Sequence, residues 1–171
     1  VNISDVLASG AEPAYLTISL SLPNEIENNF IKDFYKGAQA ASNGAEIVGG
    51  DITGAEKIYI SVTAIGKTTG RKISSRSQAK IGQKIIVSDI HGSSAAGLQK
   101  LLSGKKTLDK FTRAHLLPTS QIEFSQKIAQ NIKEDYAMMD TSDGLMDALM
   151  HIANSRNVLL SIDFENIPYD N

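Results

Sequence analysis

The stretch from Ala14 to Asp51, AYLTISLSLPNEIENNFIKDFYKGAQAASNGAEIVGGD, decides the class of fold. Leu16, Ile18 and Leu20 alternate with Thr17, Ser19 and Ser21, the period-two signature of a strand with one apolar face. Pro23 and Asn24 then open a helix. Its apolar positions Ile26, Phe30, Phe34, Ala38 and Ala41 recur at about four-residue steps and predict one buried stripe. Asn43-Gly44 supplies a C-terminal stop, because both residue types accept the left-handed conformation that ends helices. Glu46 to Val48 read as a second strand that runs into Gly49-Gly50-Asp51.

Outward from this core the mixture continues. Residues 2–9 predict a short helix ending at Gly10. Lys57 to Ile65 predict a strand with Ile58, Ile60, Val62 and Ala64 on one face. Gly66 to Ser77 is rich in Gly, Thr, Ser, Lys and Arg and reads as a connector. Strands are expected at Lys84–Ser88, Tyr136–Asp140 and Val158–Phe164. Helices are expected from the turn at His91–Ser94 through Leu102, over Gln121–Ile132, and after Ser142, with Leu145, Leu149, Ile152 and Ala153 on one face. Ser142 is expected to N-cap the last of these. The segment around Pro118 reads as polar connection. Strands and helices mix across both halves, so the expected class is α/β (α+β).

Composition narrows the function. The chain has 171 residues, 42% apolar and 21% charged, with a net charge of −2. A broad nucleic-acid footprint needs a basic balance that is absent here. There is no cysteine, which excludes disulfides, thiolate zinc sites and a cysteine nucleophile. No apolar run is long enough to span a membrane, and residues 1–20 lack the pattern of a secretory signal. These features predict a cytoplasmic globular protein with no nucleic-acid or membrane partner. Val1 is not a start residue, and a last strand without a following helix is unusual. Both predict an internal fragment.

Four short motifs carry chemistry. They are Val1-Asn2-Ile3-Ser4-Asp5, Gly49-Gly50-Asp51, Ser75-Arg76-Ser77 and Met139-Asp140-Thr141-Ser142-Asp143-Gly144-Leu145. Carboxylates hold a hard, oxygen-seeking cation, and a guanidinium clamps phosphate. Asp140 is expected at a strand end and Asp143 at a helix start, where both can face one cation while Ser142 and the helix N–H groups meet a phosphate. Each residue also has a structural reading. Asp5 and Asp143 complement a helix dipole, Asp51 can close a tight turn on its own side chain, and Ser142 can simply cap. Met138 and Met139 read as core filling. His91 to Leu98 could bind an anion or allow close strand–helix packing. Two apparent Walker loops fail: Ser61 replaces the leading glycine before Gly66-Lys67-Thr68, and Gly104-Lys105-Lys106 lacks both that glycine and the hydroxyl.

Taken in order, these motifs resemble the thiamine-monophosphate kinases of the aminoimidazole-ribotide-synthetase-like superfamily. Ser9–Pro13, Gly70–Ser77, Ser94–Leu98 and the His151-Ile152-Ala153 segment extend the resemblance over the whole chain. The resemblance implies a two-domain fold, with residues 1–68 as the end of the N-terminal ATP-binding and dimerisation domain and residues 69–171 as the start of the C-terminal domain. It implies transfer of the γ-phosphate of ATP to thiamine monophosphate, giving thiamine diphosphate, in a homodimer. Asp5, Asp51, Asp140 and Asp143 would ligate Mg²⁺, and Gly50, Arg76 and Ser142 would contact ATP. No side chain is assigned a catalytic role beyond metal-assisted direct transfer.

The resemblance also implies further metal ligands and thiamine contacts outside this chain, so the chain alone is expected to be inactive. Several positions depart from the family pattern: Ile52, Gln78, Ser93, Leu117, Ser120 and Gln121. They touch peripheral anion contacts rather than the acidic set. Two other readings compete: another ATP-using enzyme of the superfamily, or a non-catalytic nucleotide-binding or dimerisation module.

Overall fold

The computed structural model describes residues 1–105 and 107–170. Lys106, the last residue of the rejected Gly104-Lys105-Lys106 loop, and Asn171, where the expected second domain ends, lie outside the described residues. The fold opens with α1 (Asn2–Ala8) and β1 (Glu12–Leu22), followed by α2 (Asn28–Ala41), β2 (Glu46–Gly54) and β3 (Tyr59–Lys67). The sheet order is β2-β1-β3. β2 lies parallel to β1, as a strand returning across a helix must, and β3 lies antiparallel to it.

The alternation in β1 decides the packing. Leu16, Ile18, Leu20 and Leu22 are all buried. Ile18, Leu20 and Leu22 pack under α2, against Ile31, Phe34, Tyr35 and Ala38, with Ile26 beside them. Leu16 packs with Ile3 and Leu7 of α1 and with Ala45. Both helices therefore cover one face of the sheet. The other face presents Ser19 and Ser21 of β1 beside Asp51 and Thr53 of β2 and Ser61 of β3. α2 is rolled relative to the expected stripe: Phe30 is exposed, and Ile31 and Tyr35 take its place. The helix also starts at Asn28 rather than beside Pro23, because Pro23 to Ile26 form a turn closed by the Ile26 N–H on the Pro23 carbonyl.

β2 corrects the expectation of a short strand. It continues through Gly49-Gly50-Asp51 to Gly54. Between Leu16 and Thr17 the register skips one residue of β2, so Val48 is bulged. Just past the bulge the strands come very close. A Cβ on Gly50 would stand 1.8 Å from the Ile18 carbonyl oxygen.

The second half carries α3 (Ser93–Leu102), α4 (Lys110–Leu116), α5 (Ile122–Asn131) and α6 (Leu145–Arg156). α3 and α4 pack closely through Gly97, where a Cβ would meet the Phe111 carbonyl oxygen at 2.1 Å. The run of small residues in α3 thus serves helix–helix packing, not the expected strand–helix packing. α4 falls in the segment read as polar connection, and its start is fixed by a capping box between Asp109 and Thr112. The expected strands at Lys84–Ser88, Tyr136–Asp140 and Val158–Phe164 form no ladder among the described residues. Near them only an isolated parallel bridge joins His91 to Tyr169. A strand exists by its partner, and apolar alternation alone does not supply one. No helix among the described residues is long and apolar enough to cross a membrane.

Candidate functional site

Asp5 is placed by its neighbours in α1. Ile3 and Leu7, four apart, turn the buried side of the helix onto the sheet. Asp5, between them in sequence, is left on the open side. Asp140 is placed by the run that starts at Tyr136, whose buried hydroxyl donates to the Lys72 carbonyl at 2.9 Å. The connector is threaded between these two elements. Its Ser74 N–H donates to the Ser9 carbonyl at 2.9 Å, and Ser74 Oγ donates to the Met138 carbonyl at 3.3 Å. Two residues on, Arg76 sits in a single 3₁₀ turn, Arg76–Gln78, packed beside α6.

The result is one cleft of about 390 Å³, lined by Asp5, Arg76 and Asp140. Ser9, Ser75 and Ser77 add hydroxyls, and Met138 and Met139 add apolar wall. The methionines, expected in the core, therefore face the site. The serines at 75 and 77 were legible only as neighbours of Arg76.

Electrostatics mark the same place. The Asp5 carboxyl is pushed up from its ordinary value. Burial is the largest cause, followed by the charge of Asp140, a hydrogen bond with the Asp140 side chain, and the charge of Asp143; the N-terminal ammonium opposes the shift. Asp140 is also met from α1 by Ser4 Oγ, 3.1 Å from its Oδ2. Two carboxylates crowded together, with a third in electrostatic reach, form a site that a cation would relieve. The donors are all oxygen, which suits Mg²⁺. Among the described residues no three acidic or imidazole side chains form a ready-made cage. Mg²⁺ is commonly held by one or two carboxylates together with waters and substrate phosphates. The pair therefore fits a cation whose remaining positions go to water or phosphate oxygens.

Four expected site residues, Asp51, Gly50, Ser142 and Asp143, do not line this cleft. Asp51 stands in mid-strand opposite Ser19, and its Oδ1 accepts the Ile52 N–H at 2.9 Å. It lines a different, shallow depression of about 460 Å³ with Tyr35 and Val48 to Gly50. Asp51 does not line the cleft that holds Asp140; it stands within β2, which continues to Gly54. Gly50 lies in that same depression, and the close strand contact accounts for its lack of a side chain. Ser142 is not the cap of α6: the capping position is Gly144, at φ 122°, with no side-chain cap hydrogen bond. Ser142 and Asp143 belong to the turn before it.

Residues 1–68 match the family of AIR synthase related proteins, N-terminal domain. The thiamine-monophosphate kinase of Aquifex aeolicus (strain VF5) is 38% identical over 177 residues, covering 100% of this chain and 56% of that protein. A solved structure of AaThiL complexed with AMPPCP and TMP superposes with a TM-score of 0.89 at 36% identity, over 99% of this chain and 55% of that one. The hydrogenase maturation protein HypE, at 21% identity and a TM-score of 0.76 over 90% of this chain and 50% of that one, shares the fold. The chain spans about half the length of the relatives it matches. Along its whole length the chain is similar to the thiamine-monophosphate kinases, and it shares the fold of their solved structures.

Proposed function

We propose that this chain forms part of an enzyme that transfers the γ-phosphate of ATP to thiamine monophosphate, giving thiamine diphosphate. The observation that carries the reading is the meeting of Asp5, Asp140 and Arg76 in one cleft. The kinship with thiamine-monophosphate kinases along the whole chain supports it.

The chemistry asks little of the protein beyond placement. An oxygen of the substrate phosphate attacks the γ-phosphorus, a new P–O bond forms, and the bond to the departing ADP oxygen breaks. A phosphate monoester carries most of its second negative charge at neutral pH, its second pKa being about 6, so no general base is assigned. What remains is alignment and charge neutralisation. Asp5 and Asp140, with Asp143 nearby, would hold Mg²⁺, which when bound neutralises phosphate oxygens. The Arg76 guanidinium would take phosphate charge through paired N–H donors. The serine hydroxyls at 9, 75 and 77 would donate to remaining oxygens. Gly50, Asp51 and Ser142 enter the proposal on the resemblance alone, since none lines this cleft.

The same reading takes residues 1–68 as part of an ATP-binding and dimerisation domain and residues 69–171 as the start of a second domain. The boundary is supported by the extent of the family match. It takes the protein as a cytoplasmic homodimer. The uncovered sheet face, with Tyr59 and Ile65 exposed on it, supports a partner there. The test is product formation: the gene product carrying this chain, given thiamine monophosphate, ATP and Mg²⁺, yields thiamine diphosphate. One alternative is a module that binds ATP without turnover. Binding of a non-hydrolysable ATP analogue with no product from ATP would decide for it.

A further inference from the structure

We propose that Ser4 is a positioning residue for the Asp140 carboxylate, and that its hydroxyl sets how tightly the Asp5–Asp140 pair holds a divalent cation. The inference rests on the reading of that pair as cation ligands.

Ser4 Oγ has two acceptors within reach. One is the Val1 carbonyl, three residues back in its own helix, and the other is Asp140 Oδ2 at 3.1 Å. A hydroxyl has one proton to give. Serine in a helix satisfies itself on a carbonyl three or four residues back, so Ser4 gains nothing essential by reaching a residue 136 positions away. The beneficiary is Asp140. A hydrogen bond to a carboxylate is stronger than one to a neutral carbonyl, so an ionised Asp140 at 3.1 Å competes for the proton with the closer Val1 carbonyl.

Asp140 needs such a partner. It ends a run that forms no strand ladder among the described residues. Asp5, the next residue after Ser4 in α1, lines the same cleft as Asp140. Two like charges push each other apart, and the Ser4 hydroxyl opposes that motion from α1. Its removal frees Asp140 to rotate away from Asp5 and opens the pair before a cation arrives. The hydrogen-bond partners of metal-ligating carboxylates typically govern affinity by about 10- to 100-fold. The Asn-x-Ser-Asp spacing then has a physical reason. One turn of helix presents a ligand at Asp5 and, beside it, the group that steadies the second ligand across the cleft.

The test compares side chains of equal shape. Ser4→Thr keeps a hydroxyl and Ser4→Val does not, while both are β-branched and occupy the same half-buried position. Ser4→Ala repeats the deletion with a smaller group. Binding of Mn²⁺ alone to the full chain is followed through the electron paramagnetic resonance signal of the free ion, with circular dichroism establishing that each variant is folded. The expected result is near wild-type affinity for Ser4→Thr and affinity weaker by about 10-fold for Ser4→Val and Ser4→Ala. Equal affinities for the folded Thr, Val and Ala variants would overturn the role of Ser4. Absence of Mn²⁺ binding by the wild-type chain would overturn the cation reading of the pair itself, a distinct failure that takes this inference with it.

Discussion

Ser125 Oγ donates a 2.7 Å hydrogen bond to the carbonyl of Leu7, 118 positions earlier in the chain, and so fastens α5 to α1. The bond is buried and has neighbours of the same kind. Lys72 N–H donates to the Ala129 carbonyl, Ser74 N–H donates to the Ser9 carbonyl, and Tyr136 Oη donates to the Lys72 carbonyl. The two halves of the chain are thus joined through backbone groups that would otherwise be buried without partners. Asp5 and Asp140 meet because this joint holds their elements in place.

Ser125→Ala is expected to cost about 1 kcal/mol of stability, the net value of one intramolecular hydrogen bond. The Leu7 carbonyl keeps a second donor in the Gly10 N–H, so the loss stays moderate. Ser103, whose hydroxyl bonds within its own exposed turn, serves as the control, with a change under about 0.5 kcal/mol. Urea unfolding of the two alanine variants checks the contrast.

Gly49 and Gly50 stand side by side but are expected to answer differently to alanine. At Gly50 the new methyl would overlap the Ile18 carbonyl, a backbone group that can yield only if β1 and β2 separate. Gly50→Ala should cost about 3 kcal/mol or more. At Gly49 nothing lies within 4 Å of the added Cβ, and the change should fall within about 0.5 kcal/mol. Thermal melts of the two variants suffice. A mild effect at Gly50 with lost ATP binding would transfer that residue from packing to the ligand.

Asp109 gives the acid limb of stability. Its carboxyl is held down to about 2 from an ordinary 3.8, first by the hydrogen bond from Lys100 and then by the Thr112 N–H of the capping box. A depressed carboxyl binds its proton more weakly in the folded state than in the unfolded one. Its contribution is therefore complete above pH 3.8 and fades as pH falls through about 2. Asp109→Asn should flatten that part of the curve, while keeping an oxygen to cap α4. Melting midpoints between pH 5 and pH 2 for the two proteins measure it.

The sequence made some of this legible and hid the rest for identifiable reasons. Leu16, Ile18 and Leu20 announced β1 and its buried face, because a period of two has one structural meaning when flanked by turns. Asn43-Gly44 marked the end of α2 and both residues take positive φ. Asp5, Arg76 and Asp140 were each visible as candidates, and the fold brings them together. The end of β2 was misplaced at Asp51 because Gly-Gly reads locally as a turn. Here the pair continues a strand past a bulge, where only glycine lets β1 and β2 approach. Ser142 looked like a cap because it precedes an apolar helical stripe, yet Gly144, in a conformation open to glycine, takes that position. Tyr136 to Asp140 has strand-like residues without a strand partner, and pairing is a property of the whole fold that local pattern does not contain.

The central claim is that Asp140 acts on a bound cation and is not simply a structural link to α1. The most direct measurement is the steady-state rate of thiamine diphosphate formation at saturating Mg²⁺, for the gene product carrying this chain and for its Asp140→Asn variant, with thermal midpoints taken alongside. Asparagine keeps the shape and one oxygen but loses the charge that a hard cation needs. The account predicts turnover by the wild type, loss of turnover in the variant, and a midpoint displaced by no more than the effect of a surface polar change, about 1 kcal/mol or less. An unchanged rate in the variant would contradict it.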